Sequence, residues 1–241
     1  MTRVRWGAAS WILCLLAFPM QFIAAAKWPQ PYSWRSNLIS DLGVLGCGVF
    51  DAGTQVERYV CSPAHALANG ATIANGLLLA IGAVLLWNAW PNRRSGHTAM
   101  VLFFLGGILV GFVGALPWDQ YPDAHNSAAF LQAVVQWAGM FCLLGAVRGV
   151  PPARGAAALT LFCLVVSVIG FGLFILALGT GSTQLLGPGI SERMAFDVLT
   201  LWGAGMGLIL LHSPPHVTAD GDTLPEVPRP RQSMSSSPKT D

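Results

Sequence analysis

Six apolar runs are set apart along this 241-residue chain by polar or glycine-rich connections. They cover about residues 6–26, 64–90, 97–116, 127–147, 156–178 and 190–212, and each is near the roughly 20 residues that carry a helix across a bilayer. The pattern predicts an all-α fold, a polytopic membrane bundle of six transmembrane helices occupying residues 1–212. The first run ends in Ala24-Ala25-Ala26, which also has the small-residue form of a signal-peptidase site. A cleaved leader is therefore the alternative to a retained span, although the run is long for a leader and a membrane helix accommodates Pro19. Residues 27–63 form a long polar connection with Gly43, Gly46, Gly48 and Gly53 in its second half. Residues 213–241, rich in Pro and Ser and without apolar periodicity, read as a disordered cytoplasmic tail.

Composition supports the membrane reading. Hydrophobic residues make up 54% of the chain and charged residues only 10%, against about 25% charged in a soluble domain. A net charge of +2 is too small to mark a nucleic-acid binder, so the placement of charge carries more information than its sum. The N-terminus and the turns at 91–96 and 148–155 hold six Lys/Arg and no acidic residue. The alternate connections, with their flanking residues, hold four Lys/Arg and seven acidic residues. The positive-inside rule then places both termini in the cytoplasm of a multi-pass plasma (inner) membrane protein, with the 27–63 connection outside. That connection holds Cys47 and Cys61, whereas Cys14, Cys142 and Cys163 fall within spans. Bridged in an oxidising compartment, the pair would close a loop of about 15 residues, worth roughly 3 kcal/mol; unbridged, they are two loop thiols. Trp28, Tyr32, Trp34, Trp118 and Tyr121 read as an interfacial aromatic ring.

Four polar clusters gather on the outer side: Asn37, Ser40 and Asp41; Ser62, His65, Asn69 and Thr72; Asp119, Asp123, His125 and Asn126, leading to Gln132 and Gln136; and Glu192, Arg193, Asp197 and Thr200. His65, Asn69 and Thr72 share a helix face, as do His125, Gln132 and Gln136, and as do Arg193, Asp197 and Thr200. Polar side chains are costly against lipid, so these stripes should face the bundle interior and form a pocket at its outer end. Each has a plainer alternative: Arg193 and Asp197 as an intrahelical ion pair, Asn69, Gln132 and Gln136 as ties between helices, and Asp41 as a turn residue.

His65, His125 and one carboxylate, Asp41 first among them, would meet the ligand count of a catalytic zinc, but no spacing motif accompanies them. His97, His212 and His216 map to the opposite side. The chain contains no GxSxG context, P-loop, dinucleotide fingerprint or haem motif, and no three-plus-three repeat of the kind transporters carry.

The segments YSWRSNLISDLG (32–43), Cys61-Ser62-Pro63, LPWDQYPDAHNSAAF (116–130) and Ile190-Ser191-Glu192-Arg193 resemble those of the membrane proteins grouped as domain of unknown function 998. These are in turn similar in layout to a wider FRAG/DRAM/SFK-like group. The resemblance spans roughly residues 6–212. Asn37, Ser40, Asp41, Pro117, Asp119, His125, Glu192 and Arg193 match the family pattern, with a shorter interval between the Pro-x-Asp element and the His. It implies six spans in a bacterial plasma membrane and no established reaction.

The expectation is a membrane protein whose outward pocket binds or senses a lipid head group or a small polar solute, with Arg193 offered to an anionic group and no cofactor. The alternatives are a zinc-dependent intramembrane hydrolase of lipid amide or ester bonds and a structural or assembly protein. Membrane lipids are the expected partners, with no nucleic acid, and six spans leave room for a homo-oligomer.

Overall fold

A computed structural model describes residues 2–181 and 185–212; the predicted tail and His216 lie outside the described residues. Helices account for all six apolar runs, because in lipid a spanning segment must satisfy its backbone hydrogen bonds internally. They are α1 (Thr2–Leu13) and α2 (Ala17–Ala26), which together make the first span, then α3 (His65–Leu85), α4 (Arg93–Ala115), α5 (Pro122–Val147), α6 (Arg154–Thr180) and α7 (Pro188–His212). A 3-10 turn over Cys14–Leu16 separates α1 from α2. Pro19 accounts for the break: it lacks an N–H for the carbonyl four residues back, and its ring crowds that carbonyl in the turn.

Helix ends differ from the apolar pattern where polar chemistry sets them. The basic turn at 91–94 does not wait outside a helix. Asn92 accepts a hydrogen bond from the Ser95 N–H at 3.3 Å, so α4 starts at Arg93. Pro122 in the first turn starts α5 five residues before its apolar run and brings His125 into the helix. α3 stops at Leu85, and the chain then turns to bury Leu86, Ala89 and Trp90.

The helices pack in a ring: α3 lies between α1 and α4, α4 against α5, α6 against α7, and α7 returns to α1. The α5–α6 seam is the thinnest of these neighbours, and α6 is the least buried span. At the centre stand Trp11, Phe103 and Trp202, with ring centroids 4.6–5.7 Å apart. Both indole N–H groups are satisfied inside the core, Trp11 by the Leu79 carbonyl at 3.1 Å and Trp202 by the Thr160 hydroxyl at 3.0 Å.

The 27–63 connection is not a featureless loop. A 3-10 turn at Ser40–Gly43 and an antiparallel ribbon, β1 (Gly48–Phe50) with β2 (Arg58–Val60), fold onto one end of the bundle. Leu42, Val44 and Val60 bury there against Ala24, Ala25, Trp28 and Ala68. Gly48 pairs with Val60, and the Cys47–Cys61 disulfide closes the ribbon one residue farther on.

Close approach of α3 to α4 depends on glycine. A Cβ at Gly76 would collide with the backbone of Gly107 and Gly111. Gly76→Val should therefore destabilise the protein by about 1–3 kcal/mol, the usual range for overpacking. Gly203→Ala, where nothing stands in the way of a Cβ, should be near neutral. Thermal unfolding of the detergent-solubilised variants checks the contrast.

Candidate functional site

Asp41 is the anchor of the ribbon end. Its carboxylate is fully buried and accepts from the Leu38 N–H at 2.8 Å. Arg58 grips it with two nitrogens, Nε at 2.7 Å and Nη2 at 2.8 Å. The remaining Arg58 nitrogen, Nη1, reaches Asp51, and the guanidinium lies 5.8 Å from the centre of the Trp118 ring. Burial works against the charge on Arg58, but the Asp41 and Asp51 carboxylates outweigh it and push its pKa above the ordinary value.

A second tether joins the same segment to α7. Arg193 donates to the Asn37 carbonyl at 3.0 Å, to the Gly189 carbonyl at 2.9 Å and to the Tyr32 hydroxyl, and lies over the rings of Tyr32 and Trp34. Tyr32 donates onward to the Leu38 carbonyl at 2.7 Å. Burial pushes the Tyr32 phenol well above its usual range, which keeps it a donor. Glu192 accepts from the Ile39 N–H. Tyr32 and Trp34 therefore fasten a buried-side network rather than only ringing an interface.

Beneath the 3-10 turn, inside the ring of helices, lies a cavity of about 100 Å³. α3 supplies Asn69, Thr72 and Asn75, and α5 supplies His125 and Gln132. α7 contributes Glu192, Asp197 and Thr200, and α2 adds Gln21. Ser40 and Gly43 form part of the roof, where Asn69 donates to the Gly43 carbonyl at 2.8 Å. A Cβ at Gly43 would strike the Asn69 amide, so the turn closes this tightly only with glycine there. Across the cavity, Gln21 donates to Asp197 at 3.1 Å and Asn75 to the Thr200 hydroxyl at 3.2 Å. The Nδ1–H of His125 donates to the Leu116 carbonyl at 2.8 Å, and its ring lines the cavity. Among the described residues two carboxyl groups and no Arg or Lys line the space. Its chemistry is that of an acceptor-rich, acidic pocket.

The eleven sequence-predicted residues do not all meet in one place. Ser40, Asn69, His125, Gln132, Glu192 and Asp197 meet at the cavity. Asn37, Asp41 and Arg193 build its roof instead, and the alternative of an intrahelical Arg193–Asp197 ion pair gives way to the partners just described. His65 Nδ1 bonds the Ser62 carbonyl at 2.9 Å at the start of α3, away from the cavity lining. Asp119 holds the disulfide loop through the N–H groups of Leu45 and Gly46 at 3.1–3.2 Å. Among the described residues no three His, Cys, Asp or Glu side chains converge as metal ligands. The set His65, His125 and Asp41 is not assembled, because both Asp41 oxygens are spent on Arg58. Sequence reasoning missed Arg58, Gln21 and Asn75. For Arg58 a signal existed: it starts the short alternation Arg58-Tyr59-Val60 beside Cys61, with Asp41, Asp51 and Glu57 in the same connection.

Removing one partner of a buried ion pair strands the other charge. Arg58→Met should cost about 3–5 kcal/mol of stability, and Arg58→Met with Asp41→Leu markedly less than the sum of the single changes. A double-mutant cycle by chemical unfolding measures this coupling. Partial burial disfavours the Asp119 carboxylate, but hydrogen bonds from Gln120, Gly46 and Leu45 outweigh that and hold its pKa below the usual range. The stability it contributes is fully present above the unfolded carboxylate pKa of about 4 and is lost as pH falls through its lower folded value. Amide exchange at Leu45 and Gly46 should accelerate over that acid window in the wild type and lose the pH step in Asp119→Asn.

The match to a family model agrees with this layout. Residues 12–209 match the family described as "Protein of unknown function (DUF998)", a range that runs from within the first span to near the end of the last and takes in the whole roof segment. The match carries that family and not the wider FRAG/DRAM/SFK-like grouping. No curated protein and no solved structure matches the chain. With the family model covering most of its length, the chain belongs to the family of domain of unknown function 998.

Proposed function

We propose that this is a plasma-membrane protein with both termini in the cytoplasm that binds or senses a small polar solute or lipid head group in the cavity beneath the Ser40–Gly43 turn. The orientation rests on the six Lys/Arg and no acidic residue of the N-terminus and the 91–96 and 148–155 turns. The binding reading rests on one observation. Amide and hydroxyl groups from four helices, with Glu192, Asp197 and the His125 ring, line one cavity. Arg193, the residue suited to an anion, spends both terminal nitrogens on Tyr32, Asn37 and Gly189 and does not line the cavity. The preferred ligand is therefore neutral or cationic and rich in hydrogen-bond donors: an amine or hydroxyl head rather than a phosphate or carboxylate.

Ethanolamine is a suitable small probe and inorganic phosphate its anionic comparator. Ethanolamine should raise the Tm of the purified full-length protein and phosphate should not. Asp197→Asn should weaken the ethanolamine response at least tenfold, about 1.4 kcal/mol. Stabilisation by phosphate alone, or an ethanolamine response indifferent to Asp197→Asn, would refute the reading.

A further inference from the structure

A second, larger space adjoins the polar cavity. It is a groove of about 760 Å³ between α5, α6 and α7, within the volume range of sites that hold drug-sized ligands. α6 gives it an apolar wall of Phe171, Phe174, Ile175 and Leu178, faced by Phe130 of α5 and Phe196 of α7. Its other end is polar, and Ser40, Trp118, His125, Ala129, Glu192 and Phe196 line both the groove and the cavity. The groove is thus continuous in lining with the acidic pocket.

The helix packing explains why the seam is open here and shut elsewhere. Farther along the same three helices, the Trp137 indole donates to the Ser167 hydroxyl at 2.8 Å, and Ser167 donates to the Ala195 carbonyl at 2.6 Å. Trp137 and Phe171 meet edge to face at 5.3 Å, and Phe171 meets Phe196 at 6.1 Å. These contacts pin α5, α6 and α7 together and form a floor. Toward the ribbon end the hydrogen-bonded ties give way to a ring contact between Phe130 and Phe171 at 6.0 Å, and Phe130 and Ile175 are each 52% exposed. Both lie on membrane spans, so this wall is open to acyl chains, while Asp51, Thr54, Gln55 and Arg58 line the opposite, polar end.

The geometry points to a lateral lipid site: an amphiphile entering between α5 and α6 lays its chain along the phenylalanine wall and its head at His125 and Glu192. This inference rests on the ligand reading of the cavity and names its source as the bilayer. The head should be neutral or amine-bearing, because an anionic head would meet two carboxyl groups. Arg58, the cation nearest the groove's polar end, already has its guanidinium nitrogens on Asp41 and Asp51. Chain length is read by the wall and head chemistry by the pocket, so the two contributions are separable.

The test uses the full-length protein in lipid nanodiscs and a long-chain 2-amino alcohol carrying a diazirine in its alkyl chain. Photolysis should attach one probe per chain, on the peptides bearing Phe130 and Phe171–Leu178. The same chain ending in a carboxylate should label these at least tenfold less. Ala129→Trp, which fills the junction of groove and cavity, should abolish labelling. Ile175→Asn, at an exposed wall position outside the cavity lining, should reduce labelling severalfold while leaving the Tm response to ethanolamine intact; this guards against misfolding of the tryptophan variant. Labelling spread over other lipid-facing positions such as Phe141 and Leu161, or unchanged in both variants, overturns the lateral site. If ethanolamine still stabilises the protein in that event, the head-group pocket stands and only its lipid source falls. Loss of the ethanolamine response in the wild type removes both.

Discussion

The bidentate contact between Arg58 and Asp41 is the constraint on which the ribbon end depends. A carboxylate with no exposure needs full compensation, and here it comes from a guanidinium delivered by β2 and a backbone N–H from its own turn. The disulfide and the ribbon register place Arg58 where Asp41 needs it. Once Asp41 is fixed, the Ser40–Gly43 turn sits over the bundle with Gly43 against Asn69 and roofs the polar space beneath. The charged residues of the long connection act as architecture, and the pocket below them is left acidic.

The membrane region follows the opposite economy. In the core of the bundle, neutral polar groups find partners on neighbouring helices: Ser10 on the Leu78 carbonyl, Trp11 on the Leu79 carbonyl, Trp202 on Thr160. Glycines at Gly76 and Gly107 let α3 and α4 meet backbone to backbone, so this side of the ring is tight. The α5–α6 side is held mainly by aromatic rings and one hydroxyl relay, and it opens where these end. Unequal closure of a six-helix ring leaves a groove beside the polar cavity, with which it shares lining residues.

Several features were legible before the tertiary structure. The shared faces of Asn69 with Thr72 and of His125 with Gln132 do look into one space, because helical periodicity and the cost of polar groups against lipid leave little choice of direction. Asp41, Arg193 and His65 were legible as polar residues but not in their roles. Local spacing makes Arg193 and Asp197 neighbours, yet each found a better partner across the fold, Tyr32 with the Asn37 carbonyl for one and Gln21 for the other. Arg58 escaped notice because its meaning depends on a strand pairing and an acidic partner 17 residues away.

The sequence by itself determined six membrane-spanning helices, the family, and the gathering of polar chemistry near one end, since hydropathy and helical period act over single segments. Only the tertiary structure decided which of those groups hold the roof and which face the cavity, and where the ring stays open. Those outcomes depend on competition among long-range partners for each donor and acceptor, and on how closely particular helix pairs approach. Neither is a property of one segment read alone.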